Sequence, residues 1–318
     1  MNPLPLLAIS DGAAGNRRQA AALAACIGGT TELIELQPHA PWRWLAPRRL
    51  PAARHAFGEA FARRLRGPLP ALAIGCGRQA ALATRLLRAR GCRVVQILDP
   101  RLDPRHWDLV VAPQHDRLCG GNVLATLGSL NPVDDAWLAR GRADWPQFAA
   151  LPSPRIAVLL GGPTASMPFT PRDFEALAAI VRDWLDADGG SLLLTSSART
   201  PAWLRSAAGA AFGGLPGLQW HGAADGPNPY PGLLGWAERI VVSPDSSNLL
   251  SEACAVGVPV LSPLPAGAGA RLTRLHAGLR AAGQLRPLQA RFEPWACPPL
   301  RETAAVAAEV RRRLLDRA

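Results

Sequence analysis

Short apolar runs alternate with longer stretches of helical spacing along the whole chain. "LPLLAIS", "TELIEL", "LPALAIGCG", "RVVQILD", "DLVVAP" and "NVLATLG" are separated by Ala-, Leu- and Arg-rich segments and by Gly, Pro or Asn. Apolar runs of this length suit strands covered on both faces, so the pattern predicts parallel strands joined by crossover helices. After "DWPQFAALPSPR" (144–155), which reads as a linker, the pattern restarts with "IAVLLGG", "SLLLTSS", "LQWHG", "RIVVSPD" and "VPVLSP". The expected fold class is α/β: two Rossmann-like, doubly wound domains facing a cleft, residues 1–150 and 151–318. The closing "LRETAAVAAEVRRRLLDRA" places Val306, Val310 and Leu314 at helical spacing. It predicts a long terminal helix packing back across the joint.

The length of 318 residues agrees with two cores rather than one. The formal net charge is +11, yet every basic residue is Arg, so part of that charge can reflect codon bias as easily as function. No basic cluster exceeds Arg311–Arg313, and aromatics are not interleaved with the arginines, so nucleic acid is not an expected partner. Anionic lipid and phosphorylated substrates stay open, because guanidinium pairs well with phosphate oxygens. The six cysteines show no C-x-x-C spacing, which argues against a zinc ribbon or a redox dithiol. The start, "MNPLPLLAIS", carries no basic leader and too short an apolar run for a signal peptide or membrane span, so a cytoplasmic protein is expected.

In open parallel sheets ligands sit beyond the carboxyl ends of the strands, so the loops after the strands are the candidate sites. In "AISDGAAGNRRQA" a strand gives way through Asp11 and two glycines to a helix near Asn16. Such a helix start offers backbone N–H groups to an anion, and Arg17 and Arg18 either assist it or point to water. The glycine spacing is not that of a dinucleotide fingerprint. "LLGGPTAS" sets Gly161 and Gly162 where backbone can approach a ligand closely, with Thr164 supplying a hydroxyl. "LLLTSSARTP" places Ser196 and Arg199 at a strand end, a combination that suits phosphate oxygens and equally suits ordinary capping.

The fourth loop is "VVSPDSSNLLSEACAVGVPVLSPL". Asp245, Ser246 and Ser247 are candidate caps for a helix beginning close to 247. On a helical wheel Leu249, Leu250, Ala253 and Val256 form the buried face and Glu252 falls at its edge. Five residues correspond to about 7 Å of helix, close to the separation between a nucleotide's diphosphate and its ribose hydroxyls. His115 and Asp116 in "APQHDRL" form a further pair at a strand end, either an acid–base couple or a structural one. "DWLDADGG" reads as a helix running into a glycine stop rather than as a metal-binding D-x-D, and no metal is expected.

"DSSNLLSEACAVGVPVLSPL" is similar to the nucleotide-sugar-binding helix of GT-B glycosyltransferases. More closely, the chain resembles the family of the plant mitochondrial fission protein named for elongated mitochondria. "SDGAAGNRRQA", "PWRWL", "QILDPRLDP", "DLVVAPQHD", "NVLATLGSLN", "LLGGPT", "TSSARTP" and "NPYPGLLGWAERIVVSPDSSNLLSEA" occur in that family's order, over nearly the whole chain. The resemblance implies a GT-B architecture with the donor, a nucleoside diphosphate sugar, in the C-terminal half and the acceptor in the N-terminal half. It implies that Glu252 takes the ribose, Ser246 and Ser247 the diphosphate end, Gly161 and Gly162 the loop facing the donor, and Arg199 a phosphate. Glycosyltransferases often carry a His base in the first loop; here Asn16 stands there, leaving Asp11, or His115 with Asp116, as candidate bases.

The leading expectation is a glycosyltransferase-like enzyme that moves a sugar, without a metal, from a nucleoside diphosphate sugar to a cell-envelope precursor. It would be cytoplasmic, with peripheral contact to the inner membrane. One alternative is a non-catalytic adaptor on the same scaffold, using Trp42 and Trp44 of "APWRWLAPRRL" to meet a partner or an anionic membrane. Another is an isomerase acting on the nucleotide sugar.

Overall fold

A computed structural model describes residues 4–264 and 267–316 and divides into two compact units. The first is Met1–Pro132 with Glu302–Ala318, the second Val133–Arg301. The first three residues of "MNPLPLLAIS" and the last two of the expected terminal helix lie outside the described residues.

The N-terminal unit is a six-stranded parallel sheet: β1 (Pro5–Ser10), β2 (Thr30–Glu35), β3 (Leu72–Cys76), β4 (Val94–Ile97), β5 (Leu109–Pro113) and β6 (Val123–Thr126), in the order β2-β1-β3-β4-β5-β6. The helices between are α1 (Ala14–Ile27), the single turn α2 (Trp42–Leu45), α3 (Gly58–Arg66) and α4 (Arg78–Arg88). β3, β4 and β5 are buried at every position, and apart from Gln96 of β4 they read as apolar runs. One face packs against α3 and α4 through Phe57, Phe61, Leu82 and Leu87. The other packs against α1 and the C-terminal helix through Leu23, Ile27, Val306 and Val310.

The second unit repeats the plan with α5 (Asp135–Asp144), β7 (Arg155–Leu160), α6 (Pro171–Asp188), β8 (Ser191–Ser196), α7 (Ala202–Phe212), β9 (Gly217–Trp220), α8 (Tyr230–Trp236), β10 (Arg239–Val242), α9 (Ser247–Cys254), β11 (Val260–Ser262), α10 (Ala270–Ala281) and β12 (Arg286–Pro287). Its sheet runs β12-β11-β10-β7-β8-β9, all parallel. β12 has two residues, too short to show any period, and the sequence pattern does not mark it. α6 begins with a Thr170/Asp173 capping box and ends at Gly189, whose φ of 67° is left-handed. The "DAD" is therefore the last turn of a helix, and Asp188 pairs with Arg239 at 2.7 Å.

The expected domain division and the observed one differ at two places. Residues 133–150 belong to the second unit. α11 (Thr303–Val310) belongs to the first, where it lies on α1. The return is pinned by polar contacts: Glu302 accepts from the backbone N–H of Leu127 at 2.8 Å and of Gly128 at 2.9 Å, and Thr303 Oγ1 accepts from Asn131 N–H at 3.0 Å.

Candidate functional site

In the C-terminal sheet, β7 is flanked by β8 on one side and β10 on the other, so the chain reverses direction across the sheet there. A doubly wound sheet opens a crevice at such a switch point. Three of the loops singled out from the sequence leave the sheet at that place, and they hold one another. Gly161 N–H donates to Ser243 Oγ at 2.7 Å, Gly162 N–H to Asp245 Oδ2 at 2.7 Å, and Ser243 Oγ to Asp245 Oδ1 at 2.7 Å. Thr200 Oγ1 donates toward the Leu160 and Gly161 carbonyls at 2.9 and 2.6 Å, closing the β8–α7 loop onto β7.

These bonds correct the expected use of the two glycines and of Asp245. A Cβ on Gly161 would lie 2.2 Å from Asp245 Oδ2, and one on Gly162 2.4 Å from the Arg199 carbonyl. The space is occupied by protein, and both amides are spent on protein acceptors. Asp245 is buried and turned back to the β7 loop, so the cap of α9 is Ser246, whose side chain accepts from Leu249 N–H at 3.4 Å. Ser247 opens the helix as expected. Arg199 keeps a half-exposed side chain, 56 %, with one guanidinium nitrogen 3.8 Å from Asp245. Ser196 Oγ lies 2.8 Å from His221 Nδ1 at the next strand end. Thr164 is exposed, in a bridge with Met167, and its hydroxyl meets Ser166 at 3.1 Å.

Glu252 is 2 % exposed. The helical wheel sets it at the edge of a buried face made by Leu249, Leu250, Ala253 and Val256. Instead α9 is enclosed nearly all round from Leu250 to Cys254, while Leu249 and Val256 are only half-buried. The carboxylate is met by Tyr230 at the start of α8, whose hydroxyl donates to Oε2 at 2.5 Å. Trp137 of α5 stands edge-on to the tyrosine ring, centroids 6.5 Å apart. A buried acid requires such a partner.

Sequence reasoning missed Tyr230, although it is the one tyrosine of the chain and stands in the quoted "NPYPG". It also missed His221. Burial holds the His221 imidazole below its ordinary pKa, Asp225 opposes that shift and Arg205 adds to it. Its position directly after an apolar strand in "LQWHG" was the available signal.

In the N-terminal unit the order β2-β1-β3 puts the switch point between β1 and β3. Asp11 sits there, accepting from Ala13 N–H at 3.2 Å and Asn16 Nδ2 at 2.9 Å. Gly77, at φ 91°, lets the β3 loop pass: a Cβ on it would fall 2.5 Å from Asn16 Nδ2. Arg17 reaches an exposed Glu35 at 4.0 Å, a weak pair. His115 and Asp116 follow β5, three strand positions from β1, a lateral offset of about 14 Å. His115 is 4 % exposed, with Nε2 3.8 Å from Asp116 Oδ1. The fold therefore does not gather Asp11, His115 and Asp116 into one centre. Among the described residues no group of three or more His, Cys, Asp or Glu is placed to hold a metal ion, and no helix is long and apolar enough to cross a membrane.

The sequence model of the mitochondrial fission ELM1 family matches residues 14–314. The mitochondrial fission protein ELM1 of Arabidopsis thaliana is 31% identical over 279 residues, an alignment covering 78% of this chain and 65% of that protein. The chain thus spans about two thirds of that relative's length. Among solved structures, a putative UDP-N-acetylglucosamine 2-epimerase from Listeria monocytogenes matches with a TM-score of 0.54, at 12% identity over 98% of this chain and 96% of that one. The MnaA–UDP co-structure from S. aureus has a TM-score of 0.52, 12% identity and coverages of 99% and 90%. MurG from Acinetobacter baumannii has a TM-score of 0.50, 15% identity and coverages of 99% and 91%. At these identities the likeness shows a shared fold, the GT-B type expected from the sequence.

Proposed function

The chain belongs to the mitochondrial fission ELM1 family, and from that premise and the geometry of its C-terminal unit we propose that it binds a nucleoside diphosphate sugar at the carboxyl edge of β7 and β10. The observation that carries this reading is α9 itself. A Ser246-capped helix starts at the switch point of the sheet, and a buried carboxylate, Glu252, follows about 7 Å along its axis. The amides of a helix start favour the diphosphate, and a carboxylate at that distance accepts from ribose hydroxyls. Ser246, Ser247 and Arg199 serve the diphosphate; Tyr230 fixes the Glu252 carboxylate toward the ribose. The UDP in the S. aureus MnaA structure accords with this class of ligand on this fold.

The reaction in this reading is transfer of the sugar to a cell-envelope precursor. Departure of the diphosphate needs positive charge, which the helix start and Arg199 supply without a metal. Asp11 is the candidate base, because of the three candidates it alone follows a strand at the switch point of its sheet. Such an acceptor would be met at the surface of a membrane.

Calorimetric titration with UDP, GDP, ADP and CDP tests the reading. Saturable binding of at least one, lost in Arg199→Ala, is expected; no heat from any of them at millimolar concentration removes it. A non-catalytic adaptor is favoured by one specific observation: Asn16, in the base position of the glycosyltransferases, cannot take a proton and is bonded to Asp11. Donor binding without sugar transfer to any acceptor or water would support it.

A further inference from the structure

The segment 37–58 carries Arg43, Arg48, Arg49 and Arg54 and no acid at all. None of these four makes an ion pair among the described residues, whereas Arg64 and Arg66 of the neighbouring α3 pair with Glu32 and Glu59. Uncompensated charge of one sign, concentrated on one segment, calls for an anionic counterpart.

Among the described residues the same segment holds two of the three exposed large apolar side chains, the third being Leu33 of β2. Trp44 is 64 % exposed and Leu45 40 % exposed, both on α2, while Trp42 beside them tucks against the core. Their backbone is fixed from below. Arg78, at the start of α4, donates to the carbonyls of Trp44 at 3.0 Å and Arg43 at 3.1 Å. About two turns along the same helix, Arg85 donates to the Pro47 carbonyl at 2.7 Å. Farther still, Leu86, Ala89 and Arg90 form one wall of a pocket of about 630 Å³ whose other wall includes Arg49 and Arg54. The segment therefore runs along α4, from Trp44 at Arg78 to the arginine-lined pocket just past the end of the helix, a strip about 15 Å long. Within it Arg85 is held below its ordinary pKa, first by burial and then by the charge of Arg49. Two guanidinium groups crowd one another there.

We propose that this strip is a docking surface for an anionic lipid bilayer, with Trp44 and Leu45 entering the interface and Arg48, Arg49 and Arg54 meeting lipid phosphates. Indole rings favour the boundary between headgroups and acyl chains, and guanidinium groups pair with phosphate oxygens. The rigid backbone presents the aromatic tip with little further ordering to lose. The pocket, lined by Leu50, Leu65 and Leu86 together with Arg49, Arg54 and Arg90, suits a single phospholipid headgroup. The surface is built from residues of the N-terminal unit alone and does not depend on nucleotide binding.

Co-sedimentation of the full chain with vesicles of phosphatidylcholine alone, and of phosphatidylcholine with phosphatidylglycerol, tests this. The protein is expected to pellet with the anionic vesicles only, and less as salt is raised. Arg48→Gln and Arg49→Gln should each weaken binding about five-fold, and Trp44→Ala should weaken it at every salt concentration. These side chains are exposed, so the variants should keep the wild-type circular dichroism, and Arg172→Gln in the other unit should bind as wild type. Failure of the wild-type chain to pellet with phosphatidylglycerol vesicles overturns the proposal. So does equal pelleting of folded Arg48→Gln/Arg49→Gln and Trp44→Ala chains.

Discussion

Tyr230 and Glu252, 22 residues apart in sequence, meet in a buried hydrogen bond: the phenol donates to the carboxylate across 2.5 Å, and both side chains are withdrawn from water. The bond ties the start of α8 to the middle of α9 and fixes the acid on which nucleotide recognition is proposed to rest.

Tyr230→Phe removes that donor while keeping the ring against Trp137. A buried carboxylate oxygen that loses a partner costs about 1–3 kcal/mol, so the urea midpoint should fall by that equivalent. In the donor-binding reading, nucleotide affinity falls as well, because the acid is no longer held in place. A Tyr230→Phe chain with wild-type stability would show that the bond contributes nothing to the fold.

Arg199→Ala should behave in the opposite manner. Its side chain is more than half exposed and its pair with Asp245 is long, so stability should change by less than about 1 kcal/mol. Affinity for the nucleoside diphosphate should drop by roughly ten-fold or more, the loss of one charge-assisted hydrogen bond. Thermal unfolding and calorimetry on the same sample separate the two effects.

Gly162→Ala places a methyl 2.4 Å from the carbonyl oxygen of Arg199, a backbone atom that can retreat only by moving the loop. Overpacking of this kind costs about 1–3 kcal/mol. The melting temperature should fall clearly, whereas Gly209→Ala, with nothing near its Cβ, should leave it unchanged or raise it.

Stability should also fall on mild acidification. Burial holds the imidazoles of His106, His221 and His276 below their ordinary pKa. A lowered folded-state pKa means that the unfolded chain binds protons more readily as pH falls. The contribution of these groups is present above the unfolded value of about 6.5 and is lost as pH drops below it toward the folded values. Urea midpoints measured from neutral to mildly acidic pH should decline, and His221→Asn should make the decline shallower.

What could be read from the sequence was local. Apolar runs marked eleven of the twelve strands among the described residues, most plainly β3, β5, β7 and β10, where burial on both faces leaves almost no polar position. Gly189 announced the end of α6, and "DSSN" announced the start of α9 within one residue, because caps and stops are decided by the few groups beside them. The helical wheel sets Glu252 only at the edge of a buried face, and its full burial comes from the enclosure of the helix from Leu250 to Cys254.

Long-range closure decided the rest. No spacing in the sequence reveals that Asp245 turns back to Gly162, 83 residues away, that Tyr230 covers Glu252, or that Glu302 returns to Leu127 and draws α11 onto the first sheet. Likewise, strand order alone separates His115 from Asp11. A periodic pattern records which face of an element avoids water, so the chain by itself determined the elements and their alternation. Which loops share a sheet edge depends on strand order and chain return, and those are settled only when all the apolar faces are buried at once.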